Sequence, residues 1–176
     1  DDGSTDATVQ VAEQKLKGLP HQILKTAVNE GKGSAVKRGM LAAVGQYRLF
    51  TDADLSTPVE ETARLLKELQ SGYDGVIGSR ALSGSNVLVH QNFIRESMGR
   101  IFNGCARFLA FRGIQDSQCG FKAFNAKTAV ELFTLQKLPG FSFDVEIIIL
   151  AQHRGYRLLE IPVTWRNSEQ SRVRLL

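Results

Sequence analysis

Asp52-Ala53-Asp54 sets two carboxylates at positions i and i+2, directly after the run Tyr47-Arg-Leu-Phe-Thr51. Residues 47–51 read as a strand. The two acids then stand at its C-terminal end, where ligands bind in open α/β sheets. Hard oxygen donors in that position suit Mg²⁺ or Mn²⁺, ions that commonly also hold phosphates. Taken alone, such a tripeptide is more often a pair of solvated turn acids. Its neighbours decide between the two.

Four other stretches carry residues able to do chemistry. Asp1-Asp2 opens a turn, and an acid there can accept hydrogen bonds from a base N–H or a ribose hydroxyl, or simply cap the turn. Gly31-Lys32-Gly33-Ser34 precedes a helical pattern; it is neither a Walker A loop nor G-x-G-x-x-G. Glycines at a helix N-terminus can let backbone N–H groups approach phosphate, with Lys32 adding charge. Arg80 follows a strand pattern and suits diphosphate through its bidentate, permanently charged guanidinium, though most arginines are simply exposed. Asp116 stands ahead of Gly120 and Lys122, where a carboxylate can act as a general base or merely hold a turn. The run Phe141-Ser-Phe-Asp-Val-Glu146 alternates aromatics and acids like a pocket wall, and Asp144 can alternatively cap the next helix.

The elements that would position these groups alternate. A helix is expected up to Leu16, with Val9, Ala12 and Leu16 on one face and Ser4 or Thr5 as its cap. A short strand follows over 22–26. The next helix carries Val36, Met40 and Val44 and closes near Gly45. After the strand at 47–51, Thr57-Pro58-Val59-Glu60 forms a capping box for a helix with Val59, Ala63, Leu66 and Leu69 inward. Strands are expected over 75–79, 120–124 and 156–161, and helices over 126–135, capped by Asn125, and 144–153, stopped by Gly155. Residues 81–89 read as a mobile loop. The longest helical pattern, 93–111, gathers Ile94, Met98, Ile101, Phe102, Cys105, Phe108 and Leu109 within about 120° of arc. This order predicts a three-layer α/β/α fold with a mostly parallel central sheet. A first strand belongs before Asp1, so the chain is expected to be one N-terminally truncated domain over 1–176.

Composition excludes several classes. At 176 residues and 43% hydrophobic content, the chain can build a substantial core. A net charge of +4 is too mild to argue for nucleic acid, but it suits an anionic ligand or membrane surface. No apolar run reaches the roughly 18 residues of a membrane span. Cys105 and Cys119 form no C-x-x-C, and His21, His90 and His153 are scattered. Free thiols in a reducing compartment fit this, and a histidine zinc site does not.

In order, D-D-G-S-T-D-A-T, N-E-G-K-G-S-A-V-K-R-G, T-D-A-D-L-S-T-P, G-S-R, D-S-Q-C-G-F-K-A-F, F-D-V-E and I-P-V-T-W-R resemble the family 2 glycosyltransferases. The resemblance is nearest to the dolichyl-phosphate and polyprenyl-phosphate type, the β-glucosyltransferases above all, and spans nearly the whole chain. It implies a GT-A nucleotide-sugar-binding fold and transfer of a hexose, glucose favoured, with inversion. The donor implied is a nucleotide diphospho-sugar of the UDP-glucose or GDP-mannose type, and the acceptor a polyprenyl or dolichyl phosphate. By that resemblance Asp1, Asp2 and Lys32 contact the nucleotide. Asp52 and Asp54 hold Mg²⁺ or Mn²⁺ and the diphosphate, and Arg80 faces the diphosphate or acceptor phosphate. Asp116 is the candidate base, and a phosphate acceptor, already ionised, can also react without one. Arg95, Arg100 and Lys122 are candidates for the lipid phosphate or head groups, because 93–111 can also lie as an amphipathic helix on a membrane. The expected location is the cytoplasm, at a membrane. The family's first strand with its nucleotide loop is absent from this numbering.

Three rival readings differ in testable ways. A glycosyltransferase with a soluble or polysaccharide acceptor would share the donor half alone. An inactive nucleotide-sugar-binding module would bind without turnover. An aspartyl-phosphate phosphatase would use Asp52 as nucleophile, but the glycine and threonine expected after Asp54 are missing.

Overall fold

A computed structural model describes residues 1–89 and 113–166. Its elements are α1 (Thr8–Leu16), α2 (Lys32–Ala42), β1 (Tyr47–Thr51), a 3₁₀ turn (Val59–Glu61), α3 (Thr62–Gln70), β2 (Gly75–Ser79), β3 (Asn86–Val89), β4 (Phe121–Asn125), α4 (Ala126–Leu135), α5 (Phe143–His153), β5 (Leu158–Pro162) and β6 (Thr164–Arg166). The expected helix over 93–111, with Arg95 and Arg100, lies outside the described residues.

The main sheet has the order β1-β4-β2-β5. Strands β1, β2 and β5 run one way, and β4 runs against them between β1 and β2. The sheet is therefore mixed, with three of its four strands parallel in direction. Side chains along β4 alternate between its faces, as a strand requires. Phe124 packs with Met40, Phe50, Leu132, Phe133 and Ile147 under α2, α4 and α5. Phe121 and Ala123 pack with Leu65, Leu69, Val76 and Ile161 under α3. Helices thus cover both faces, giving the three expected layers.

Local chemistry explains the ends that were legible. The Asn125 side chain accepts the Thr128 N–H at 2.8 Å and starts α4. Gly155 takes φ +75° just after α5, a conformation that favours glycine.

Other expectations fail for long-range reasons. Residues 22–26 form no strand. Residues 81–89 are not simply a loop, because β3 pairs in parallel with β6. Val44 lies beyond the end of α2 and is 96% exposed. The 57–60 capping box makes no side-chain cap bond. In α3 the inward residues are Leu65 and Leu69, while Val59 and Ala63 are exposed. Glu61 takes an inward position instead, accepting the Thr164 N–H at 3.0 Å. Its ion pair with Arg64 satisfies the other oxygen.

Candidate donor and phosphate site

The parallel strands β1 and β2 end on the same edge of the sheet. Asp52 follows β1 and Arg80 follows β2, so topology alone brings both to one rim. Asp52 continues the β1–β4 ladder, its N–H donating to the Gly120 carbonyl at 3.0 Å. A Cβ on Gly120 would stand 2.2 Å from Asp52 Oδ2, so the absence of a side chain there makes room for the carboxylate. Leu55, whose N–H returns to the Asp52 carbonyl at 3.0 Å, has φ +50°. Among the described residues it is the one non-glycine with positive φ, a strain of about 1–3 kcal/mol that often marks functional turns. Ser56 N–H binds Asp54 Oδ1 at 3.0 Å, which fixes the second acid. Asp52 is half-buried and Asp54 exposed.

Lys32 lies at the start of α2, with its Nζ 2.7 Å from Asp52 Oδ1 and 5.7 Å from the centroid of the Phe141 ring. The glycines beside it serve a different purpose from the one expected. A Cβ on Gly31 would stand 2.6 Å from the Pro139 carbonyl oxygen, and one on Gly33 2.6 Å from that of Leu138. Ser34 N–H donates to the Pro139 carbonyl at 3.1 Å. The glycines thus admit the α4–α5 connection, which occupies part of the helix N-terminus where phosphate was expected. Gln136 ties the same connection to Gly33 at 3.0 Å.

Asp2 is likewise committed. Its carboxylate accepts the N–H groups of Glu30 and Gly31 at 3.2 and 2.8 Å and pairs with Arg38 at 3.0 Å. Burial acts to raise its pKa, but these donors outweigh it and hold the group below the ordinary value. Asp2 therefore shapes the glycine loop that carries Lys32. Asp1 accepts the Ser4 N–H at 3.1 Å, as a turn cap does.

Arg80 and Asp116 meet. Nε and Nη2 of Arg80 donate to Oδ2 and Oδ1 of Asp116, and the Arg80 backbone N–H adds a bond to Oδ2 at 3.0 Å. Gln118 N–H takes Oδ1 at 3.1 Å. Trp165 lies under the guanidinium, 5.5 Å from ring centroid to Cζ. Burial alone would raise the Asp116 pKa, but the Arg80 bonds and charge overcome it and keep the acid ionised. Each oxygen already accepts two N–H groups, and the depressed pKa makes the carboxylate a weak proton acceptor. In this arrangement Asp116 holds Arg80 and presents no free oxygen of the kind the expected general base would use. Glu160 braces it in turn, accepting the N–H groups of Gln115 and Asp116 at 2.8 and 2.7 Å.

Lys122 is also displaced from its expected role. It is 0% exposed and paired with Asp144, so it does not reach a lipid phosphate. Asp144 lies within α5 and does not cap it.

Arg38, Glu160 and Trp165 were missed from the sequence. Arg38 and Trp165 stand inside the quoted stretches N-E-G-K-G-S-A-V-K-R-G and I-P-V-T-W-R, and Glu160 is an acid inside the apolar run Leu158-Leu-Glu-Ile161.

The acids fit a divalent cation only in company. Among the described residues no cluster of three or more metal-ligating side chains occurs. Asp52 and Asp54 offer hard oxygens open to solvent, too few to enclose an ion. A Mg²⁺ or Mn²⁺ held there would need its remaining ligands from water and diphosphate, and would share Asp52 with Lys32.

Residues 1–133 match the family described as glycosyl transferase family 2. Dolichyl-phosphate beta-glucosyltransferase of Drosophila melanogaster is 37% identical over 98% of this chain and 56% of its own length. The Saccharomyces cerevisiae enzyme of that name is 34% identical over 99% of this chain and 58% of its own length. The chain thus spans little more than half of these relatives. Among solved structures, Mycobacterium tuberculosis glucosyl-3-phosphoglycerate synthase superposes with a TM-score of 0.62 at 21% identity, covering 96% of this chain and 59% of that one. Its complex with Mn²⁺, uridine diphosphate and glucosyl-3-phosphoglycerate gives 0.56 at 23% identity, covering 96% of this chain and 60% of that one. These likenesses establish the GT-A-like fold.

Proposed function

Because the chain belongs to glycosyl transferase family 2, we propose that it transfers a hexose, glucose favoured, from a nucleotide diphospho-sugar to a polyprenyl or dolichyl phosphate. The observation that carries this reading is the shared rim of β1 and β2, where Asp52, Lys32 and the Asp116-braced Arg80 converge. The names of the curated relatives support the lipid phosphate and glucose.

Asp52 and Asp54 would hold a divalent cation, which supplies electrophilic help to the departing diphosphate. Lys32 brings a positive charge beside Asp52. Arg80 keeps Nη1 outside its clasp with Asp116 and offers it to phosphate oxygens as negative charge builds. Its charge is secure: burial acts to lower the pKa, but Asp116 raises it further. The acceptor is a phosphate monoester, largely ionised near neutral pH. It attacks without a base, in keeping with an Asp116 that has no oxygen to spare. The new bond forms between acceptor phosphate oxygen and anomeric carbon as the bond to the nucleoside diphosphate breaks. One displacement inverts that centre. Arg95 and Arg100 remain candidates for the lipid head group. No helix among the described residues is long and apolar enough to cross a membrane; the location proposed is the cytoplasm, at a membrane surface.

The test supplies UDP-glucose or GDP-mannose with Mn²⁺ and either a short polyprenyl phosphate or soluble phosphorylated and neutral sugars. Labelled hexose is expected in the lipid phase, from UDP-glucose above all. Transfer to the soluble acceptors alone would overturn the lipid reading. Binding of donor without transfer to any acceptor would overturn the enzymatic one.

A further inference from the structure

One buried ion pair has no part in the donor site as drawn so far. Lys122 and Asp144 are 0% and 2% exposed and pair with each other. Lys122 Nζ also donates to the Cys119 carbonyl at 2.6 Å and stands 5.5 Å from the centroid of the Phe50 ring. Two ions taken out of water add little stability over apolar side chains of the same volume. Stability therefore does not explain the pair, but its place in the fold does.

Cys119 immediately precedes Gly120. Gly120 accepts the Asp52 N–H through its carbonyl and lies directly against the Asp52 carboxylate. Phe50 lies two residues before Asp52 and is the register partner of Lys122 across β1 and β4. One ammonium on β4 thus bonds the residue before Gly120 and lies over the Phe50 ring of β1, while Asp144 fastens it to α5. We propose that the Lys122–Asp144 pair is a positioning device for Asp52, holding the strand ends so that this carboxylate faces the donor's diphosphate and cation. Both residues act through Asp52 and touch no substrate. The inference rests on the donor-site reading of Asp52.

The experiment titrates Mn²⁺ and UDP by calorimetry into the unaltered protein, Asp144→Asn and the double variant Lys122→Met/Asp144→Leu, and records thermal melting of each. Replacing both ions by apolar groups leaves no lone buried charge, so the double variant is expected to fold. Its melting should change little, while Mn²⁺-dependent UDP affinity falls by about 10-fold or more, the usual loss when support behind a metal ligand is removed. Should the double variant unfold, a folded Asp144→Asn carries the same test and the same expected loss. Unchanged affinity in a folded variant, with the unaltered protein binding, overturns this inference alone. No binding by the unaltered protein overturns the donor-site reading, and this inference with it.

Discussion

Arg80 and Asp116, separated by 36 residues, close a two-pronged ion pair at 2.6 and 2.8 Å. Asp116 is 2% exposed and the Arg80 side chain 28%, so one face of the guanidinium is clamped while the rest looks outward. Removing Arg80 leaves a buried carboxylate without its counter-ion. Arg80→Ala should therefore destabilise the fold by about 3 kcal/mol, the cost of breaking a buried pair from one side. Urea denaturation checks this as a lower midpoint at unchanged slope. Arg80→Lys keeps the charge but not the fork, and should recover only part of the loss.

Acid should erase the contribution of Asp116. Burial pushes its pKa up, and the stronger effect of Arg80 brings it below the ordinary value. A carboxyl depressed in the folded state adds stability above its unfolded pKa of about 4, and that stability is lost as pH falls through the lower folded value. The gap in stability between the unaltered protein and Asp116→Asn should be wide at neutral pH and close below about pH 4. Urea titrations at neutral and acid pH measure it. A gap independent of pH would contradict the ion-pair account.

Gly120→Ala should separate folding from binding. The added methyl would meet the Asp52 carboxylate, the mobile end of a side chain, at 2.2 Å. The side chain can turn aside at little cost to the fold, but then it no longer faces the rim. Melting should shift by only a few degrees, about 1 kcal/mol for a rotamer change at this half-buried side chain, while Mn²⁺-dependent donor affinity falls at least about 10-fold. Gly33→Ala is the contrast, because its methyl would meet carbonyl oxygens of Leu138 and Gly140 at 2.6 and 2.9 Å. Backbone must then move, and a loss of about 1–3 kcal/mol is expected by chemical denaturation.

Lys32→Met should affect binding more than stability. The Lys32–Asp52 pair is partly exposed, at 26% and 35%, and such pairs contribute roughly 0–1 kcal/mol. Calorimetry with UDP-glucose should show weaker binding, and thermal melting almost no change. A large drop in melting temperature with donor affinity intact would show that Lys32 is structural only.

What was legible in the sequence follows from local chemistry. The apolar run ending at Asp52 specifies β1, and Asn125 caps α4 through a bond three residues away. Arg80 and Asp116 were recognisable as charged groups beside strand ends, but their mutual commitment was not, because the partner lies far along the chain. The same holds for Glu61 and Thr164, whose bond spans 103 positions, and for β3, which becomes a strand only once β6 lies beside it. Gly31 and Gly33 were read as letting backbone N–H groups approach phosphate, whereas the 138–140 backbone lies against them. Nothing within the loop itself distinguishes phosphate from the 138–140 backbone as the approaching group. Lys122 and Asp144 have the composition of surface residues and are buried by packing between β4, which lies between β1 and β2, and α5.

The most direct measurement is the calorimetric affinity for UDP-glucose with Mn²⁺, repeated with excess chelator and with Asp52→Asn and Asp54→Asn. Binding that depends on Mn²⁺ and is lost by at least about 10-fold in each folded variant is the predicted result. Equal affinity in chelator, or in both asparagine variants, would contradict the assignment of this rim to the donor.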